Sequence, residues 1–145
     1  MKIAIINHSD SRGGASVVSL RLMDALAAEG ADVSMLVTHK ATGRADVVAA
    51  ASPARCRLPF LAEHARIFAG NGFTRRDLFA VSIATDGLPL ASHPAVRDAD
   101  VVMLNWVNQG MLALGEIAKM AHAGKKIIWT MHDMWNATGV CHHAG

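Results

Sequence analysis

The C-terminal part of the chain concentrates side chains that are able to do chemistry. Residues 129–143 contain two tryptophans, three histidines, one aspartate and one cysteine. This segment overlaps the end of a short apolar run that begins after Lys125 and Lys126. The run predicts a buried strand over residues 126–131. Open α/β sheets bind their ligands at the C-terminal ends of strands. This segment is therefore the first candidate for a functional site.

His132 is the side chain that we predict to be catalytic. It follows the predicted strand, where a histidine can donate to a substrate hydroxyl, act as a general acid or base, or only fix a loop. Asp133 is a candidate substrate-binding residue. Adjacent residues of an extended chain point to opposite sides, so Asp133 is not expected to orient His132 as in a catalytic triad. Trp129 and Trp135 are expected to pack in the core and over the site, and Trp135 is kept as a candidate for sugar stacking.

Cys141 and His142 give a weak metal signal. Zinc requires three or four ligands whose spacing lets a loop wrap around the ion, and consecutive residues rarely all coordinate. We therefore predict no metal and no cofactor, and expect the last residues to form a partly ordered tail. Further ligands, if a metal binds, would lie beyond Gly145.

A second candidate site is the glycine pair Gly13-Gly14, which precedes a helix predicted over residues 16–29. Glycines at a helix N-terminus let the backbone approach a ligand, and the free N–H groups favour a phosphate or a carboxylate. The spacings of the dinucleotide-binding motif and of the P-loop are both absent. Substrate binding and a plain turn remain the two interpretations.

Apolar runs and helical stripes predict how these residues are positioned. Buried strands are predicted at residues 3–6, 33–37, 101–104 and 126–131, and long helices at 16–29 and 110–123. The middle of the chain is less regular, with a short strand or helical turn at 45–51, a helix at 62–68 and a strand or extended segment at 78–83. This alternation predicts one Rossmann-like domain over residues 1–145, with a doubly wound, mainly parallel sheet and helices on both faces.

In such a sheet the strand ends share one edge. Polar clusters follow three of the predicted strands, at residues 7–8 with the glycine pair, at 105–108 and at 132–133. We therefore expect them to converge on one crevice, with Asn105 and Trp106 as further candidate substrate-binding residues.

Composition excludes several classes of protein. A hydrophobic content of 52% and a mean hydropathy of +0.26 exclude a disordered chain, and no apolar run approaches the roughly 18 residues of a membrane span. The net charge of +2 is too small to indicate nucleic-acid binding. No secretory signal follows Met1, so we expect a cytoplasmic protein with free cysteines.

Peripheral membrane contact is a further possibility. Arginines at residues 55–76 alternate with the apolar residues Pro59, Phe60, Leu61 and Phe68. Such a mixture is usually a solvated face, but it can also rest on an anionic membrane surface and would suit a lipid-linked substrate.

Three segments resemble bacterial glycosyltransferases of family 4. They are residues 3–7 with Gly13-Gly14-Ala15, residues 100–106 and residues 129–142. The resemblance is to the N-terminal half of these enzymes and covers essentially the whole chain. It implies one half of a GT-B arrangement, with an acceptor-binding domain in these 145 residues and a C-terminal nucleotide-sugar domain outside them.

The resemblance also implies roles for single residues. Gly13 and Gly14 match the glycine turn that approaches the donor diphosphate and the acceptor. His132 matches the histidine that reaches the transferred sugar. Asn105-Trp106 stands where a subgroup commonly has His-Trp. The signature of that subgroup is matched by Asp133, Trp135, Thr138, Gly139, Cys141 and His142.

The resemblance implies retaining transfer of a sugar from a nucleotide-sugar donor to a glycan or lipid-linked acceptor, in surface polysaccharide or lipopolysaccharide assembly. The fragment alone is expected to be inactive, because the donor domain would have to close the cleft. Two other classes stay open. One is a stand-alone Rossmann-type binding module, and the other is a half-domain of a nucleotide-sugar epimerase.

Overall fold

The computed structural model describes residues 1–75 and 78–142, and its centre is a five-stranded sheet. The strands are β1 Lys2–Ser9, β2 Asp32–His39, β3 Val47–Ala49, β4 Val101–Leu104 and β5 Lys126–Trp129. They are all parallel and lie in the order β3-β2-β1-β4-β5. The Rossmann-like α/β class predicted from the sequence is confirmed. Since β1 is central, its apolar residues are covered on both faces and show no alternation in the sequence.

Helices connect the strands. They are α1 Gly13–Ala28, α2 Pro53–Gly70, α3 Pro94–Arg97, α4 Leu114–His122 and α5 Trp135–Thr138, with a 3-10 helix at Leu90–Ser92. None of the described helices combines the length and the apolar character that crossing a bilayer demands.

The sheet separates two apolar clusters. On one face Ile5 packs with Met23 of α1, and on the other face Ile6 packs with Met120 of α4. All four of these side chains are at most 1% exposed. Helices therefore cover both faces, as a doubly wound sheet requires.

Helix α2 is much longer than the helix predicted at residues 62–68. It begins at Pro53, where the Ser52 side chain accepts a hydrogen bond from the backbone N–H of Arg55. A serine cap followed by a proline is a favourable helix start. The predicted helix starts at residue 62, after Pro59, but Pro59 itself lies inside the helix. That boundary is wrong because packing of the helix outweighs one missing hydrogen bond.

Two other predicted elements are also corrected. The helix predicted at 110–123 begins only at Leu114, because Gln109 and Gly110 have positive φ values of 56° and 75° and form a turn. No regular strand forms over residues 78–83. A turn at 78–80 leads instead to a single antiparallel bridge between Val81 and Cys141.

Candidate functional site

A cleft of about 830 Å³ lies at the C-terminal edge of the sheet. The ends of β1, β4 and β5 and the first turn of α1 contribute to it, which confirms the predicted convergence of the polar clusters. The lining residues include Asn7, His8, Arg12, Gly13, Gly14, Phe79, Trp106, Gln109, His132, Asp133 and His142.

The glycine turn presents open backbone to the cleft. Helix α1 begins at Gly13, whose φ of +77° favours glycine, and no side chain caps its first turn. A Cβ atom added to Gly13 or Gly14 would meet nothing within 4 Å. The turn before the helix is held by Ser9, whose hydroxyl accepts from the N–H groups of Ser11 and Arg12 at 3.2 Å each. The uncapped N-terminus of a 16-residue helix can receive an anion.

Asn7 joins the ends of two strands at this edge. Its side-chain oxygen accepts from the Trp106 N–H at 3.1 Å, and its Nδ2 donates to the Ser9 carbonyl at 2.6 Å. Asn7 is 1% exposed. This buried amide fixes Trp106 relative to the glycine turn, so the two sides of the cleft are held by one side chain.

His132 lies where the sequence predicts it, just after β5 and in the cleft wall. Its Nε2 is 3.0 Å from Oδ1 of Asn105, which is 3% exposed and stands behind the histidine. Burial lowers the pKa of His132, and the neighbouring Asp133 charge opposes this shift. With Nε2–H donating to Asn105, Nδ1 is left as an acceptor for a ligand hydroxyl. Asn105 thus acts as a support for His132.

Asp133 does not orient His132, as expected. Its Oδ2 accepts from Trp106 Nε1 at 3.0 Å and from His142 Nδ1 at 2.7 Å, and its Oδ1 accepts from the Trp135 N–H at 3.0 Å. Burial on its own raises the pKa of Asp133, but the hydrogen bonds from His142, the Trp135 backbone and Trp106 outweigh it and hold the pKa below its ordinary value. Asp133 is therefore ionised, and its hydrogen bonds hold Trp106, Trp135 and His142 in place beside the cleft.

Trp135 packs in the interior, as the sequence favoured, so its alternative role in sugar stacking needs correction, and so does the partly ordered tail. Trp135, a candidate for sugar stacking, is 3% exposed, donates from Nε1 to the Ser82 carbonyl at 2.8 Å, and does not line the cleft. Its indole packs against Trp129 at a centroid distance of 5.6 Å. His142, expected in a partly ordered tail, is 7% exposed and bound to Asp133. The segment after β5 therefore folds back onto the domain; His143, also placed in that tail, lies outside the described residues.

The two residues with a weak metal signal in the sequence are Cys141 and His142. Cys141 is a free thiol whose backbone N–H is bound by Thr138 Oγ1 at 3.0 Å. Within residues 1–75 and 78–142, no group of three His, Cys, Asp or Glu residues is placed to hold a metal ion. In the described structure His142 pairs with a carboxylate instead.

His8 was named from the sequence only as a polar residue at a strand end, yet it is a central part of the wall. Its ring contacts Trp106 edge to face at 5.1 Å, and its Nδ1 is 3.1 Å from Thr38 Oγ1. Burial, with smaller contributions from His39 and Arg12, lowers the pKa of His8 to about 4. Burial of this ring depends on how Trp106 is placed, and no local pattern in the sequence shows that.

This low pKa predicts a pH dependence of stability. Between pH 6.5 and about pH 4 the unfolded chain protonates at His8 while the folded protein does not, so the free energy of unfolding falls as the pH is lowered. The expected loss is up to about 3 kcal/mol. Urea denaturation at pH 7 and pH 4.5 measures it, and His8→Asn should lose clearly less. Equal losses for both proteins would contradict the assignment.

Comparisons with protein-family models, with curated proteins and with solved structures find no match to this chain. The functional interpretation therefore depends on the geometry of the cleft and on the motifs that line it.

Proposed function

We propose that the chain is the acceptor-side domain of a retaining glycosyltransferase, which moves a sugar from a nucleotide-sugar donor to a glycan or lipid-linked acceptor. The observation that carries this proposal is the meeting of the glycine turn, Trp106 and His132 in one cleft. An anion site suits the diphosphate of an activated sugar, an aromatic surface suits the sugar ring, and a histidine that accepts a hydrogen bond suits a sugar hydroxyl.

The diphosphate of the donor fits the glycine-turn side of the cleft. The uncapped first turn of α1 offers N–H groups and the positive end of the helix dipole. Arg12 lines the same wall and adds a full positive charge. Both features stabilise negative charge that accumulates on the leaving diphosphate as its bond to the sugar breaks.

The sugar fits the opposite side. His132 offers Nδ1 as an acceptor for a sugar hydroxyl, and Asn105 behind it fixes the ring. Trp106 and Phe79 also line the cleft and supply apolar surface for the sugar ring. In the resemblance, His132 is matched to the histidine that reaches the transferred sugar.

A second, nucleotide-binding domain is part of the proposal. Charge that develops between sugar and diphosphate is stabilised best in a site from which water is excluded, and a domain closing over the cleft would exclude it. We propose a role in surface polysaccharide synthesis from the resemblance to family 4 glycosyltransferases. A position at the inner face of the membrane is proposed from the arginines and exposed leucines of α2.

A lipid-linked acceptor is supported by the outer surface of α2. Leu58 and Leu61 are 68% and 59% exposed, and Arg55 and Arg57 lie on the same helix. Exposed leucines beside arginines suit the surface of an anionic bilayer. Arg76, the last arginine of the stretch at residues 55–76, lies outside the described residues.

Gly14→Val tests the anion side of the cleft. The added side chain enters open space, so the protein should stay folded, but it covers the first turn of α1. Titrations of the 145-residue chain with inorganic diphosphate, the group that the glycine turn is proposed to hold, followed by the amide chemical shifts of residues 13–15, should show at least about tenfold weaker binding in the variant, a loss of about 1.4 kcal/mol.

Gly115→Val is the matched control. Gly115 is the second residue of α4 as Gly14 is of α1, a Cβ added there also meets nothing within 4 Å, and it does not line the cleft. It should bind as the unmodified chain does. The proposal fails if diphosphate leaves the amides of residues 13–15 unshifted, or if Gly14→Val binds diphosphate as tightly as Gly115→Val.

A further inference from the structure

A second cavity adjoins the cleft at the other side of His8. It has a volume of about 410 Å³, and we call it the basic pocket. His8 and Gln109 line both the cleft and the basic pocket, so one ligand can extend from one to the other. The remaining lining residues are Thr38, His39, Lys40, Ala49, Ala51, Pro53, Cys56, Arg57, Phe60, Gly110 and Met111.

The charged side chains among the described residues that line the basic pocket are of one sign. Lys40 and Arg57 line it together with His39, and no carboxylate from residues 1–75 or 78–142 does. Among the described residues neither Lys40 nor Arg57 forms a salt bridge, whereas nearby Arg44 pairs with Asp24 at 2.6 Å and with Asp46 at 2.7 Å. Lys40 Nζ donates to the Arg44 carbonyl at 3.0 Å. Two cations that form no salt bridge with the described residues, beside a concave surface, attract an anion.

Helix α2 adds to this positive potential. Its first residue, Pro53, lines the pocket, and so do Cys56 and Arg57 in the next turn. The positive end of an 18-residue helix dipole therefore lies at the pocket wall. The helix terminus and the two cations act in the same direction, and arginine with lysine at a helix N-terminus is a common setting for phosphate.

We propose that the basic pocket binds a phosphate group carried by the acceptor, while the acceptor's hydroxyl reaches into the cleft beside His132. This inference rests on the proposed function, since it names a chemical feature of the acceptor. The phosphate of a lipid diphosphate carrier and that of a phosphorylated saccharide share this chemistry. Lys40 and Arg57 bind the phosphate oxygens, and the shared wall at His8 and Gln109 sets the distance between phosphate and hydroxyl.

The test uses three probes on the 145-residue chain at constant ionic strength. Geranyl diphosphate represents a lipid carrier, glucose 6-phosphate represents a phosphorylated saccharide, and glucuronate carries a carboxylate instead. Amide shifts at Lys40, Ala51 and Gln109 report occupancy of the pocket. We expect saturable shifts with at least one phosphate probe and at least about tenfold weaker binding in Arg57→Gln and in Lys40→Gln.

Arg21→Gln is the matched control, because Arg21 is an exposed arginine on α1 that lines neither the cleft nor the basic pocket. It should leave binding of the phosphate probe unchanged. The tighter of the two phosphate probes identifies the source of the phosphate. The inference is overturned if neither phosphate probe binds, if only glucuronate binds, or if Arg21→Gln weakens binding as much as Arg57→Gln.

Diphosphate titrations separate this inference from the proposed function. If Arg57→Gln keeps diphosphate binding at the glycine turn and no phosphate probe occupies the basic pocket, the inference alone fails. If diphosphate also leaves the amides of residues 13–15 unshifted, the proposed function fails with it.

Discussion

Replacing Gly110 with alanine is expected to destabilise the domain by about 3 kcal/mol or more. A Cβ at this position would lie 2.4 Å from the Phe60 backbone nitrogen and 2.6 Å from both the Phe60 Cα and the Pro59 carbonyl carbon. All three neighbours are backbone atoms of α2, so no side-chain rotation relieves the overlap. Gly110 also has a φ of +75°, which is unfavourable for alanine. The substitution must push α2 away from the turn after β4.

Gly124→Ala isolates the effect of packing from that of the backbone. Gly124 has nearly the same φ, +77°, but a Cβ there meets nothing within 4 Å. Its substitution should cost only about 1 kcal/mol. Urea denaturation of both variants measures the difference. Similar losses at Gly110 and Gly124 would show that α2 does not lie against the turn as described.

Glu63→Ala is the second substitution with a large expected effect, again about 3 kcal/mol. Glu63 is fully buried on α2, at 0% exposure. Its Oε1 accepts from Ser82 Oγ at 2.6 Å and from the Ile83 and Ala84 N–H groups at 2.9 Å each. Alanine leaves these donors without their acceptor in the interior and opens a cavity. Since Ser82 also binds Trp135 through its carbonyl, the segment after β5 should loosen as well.

Two variants serve as controls for Glu63→Ala. Glu63→Gln keeps one acceptor oxygen and should lose clearly less, and the exposed Glu29→Ala should change the free energy of unfolding by less than about 0.5 kcal/mol. Hydrogen exchange at Ile83 and Ala84 should accelerate only in Glu63→Ala. A loss as small as that of Glu29→Ala would mean that this carboxylate does not hold the segment.

Much of the fold is predictable from local pattern. The strands at residues 3–6, 33–37 and 101–104 appear in the sequence as short apolar runs, because a central parallel strand is buried on both faces. Gly30 and Gly124 follow their helices with φ values of 82° and 77°, as glycine stops do. With alternating strands and helices, these signals define the class of the sheet.

The rest of the fold depends on contacts between distant residues. The segment around Ser82 has no regular structure of its own, and Glu63, 19 residues earlier, determines its path. Helix α2 continues through Pro59 because tertiary packing overrides propensity. Local pattern reports neither effect, so the start of α2 and the path of residues 78–83 could not be predicted, whereas the short strand at 45–51 is found as β3.

The candidate site also has a part that local pattern predicts and a part that depends on contacts between distant residues. Convergence of the glycine pair, Trp106 and His132 follows from parallel topology and was predictable. The bond between Asp133 and His142 was not, because it requires the chain to return to the sheet edge nine positions later. Burial of Trp135 follows from the same return. The sequence identifies which residues end strands, and the fold of the loop decides which of them reach a ligand.

The account's central claim is transfer of a sugar from a nucleotide to an acceptor, and a transfer assay tests it most directly. The product of the complete gene would be incubated with nucleotide sugars and membrane-derived acceptors, and the anomeric configuration of the product determined by NMR. We predict transfer with retention, and at least about 100-fold slower turnover in His132→Ala. The exposed His122→Ala, outside the cleft, should react as the unmodified protein does. No transfer, inversion of configuration, or full activity of His132→Ala would contradict the account.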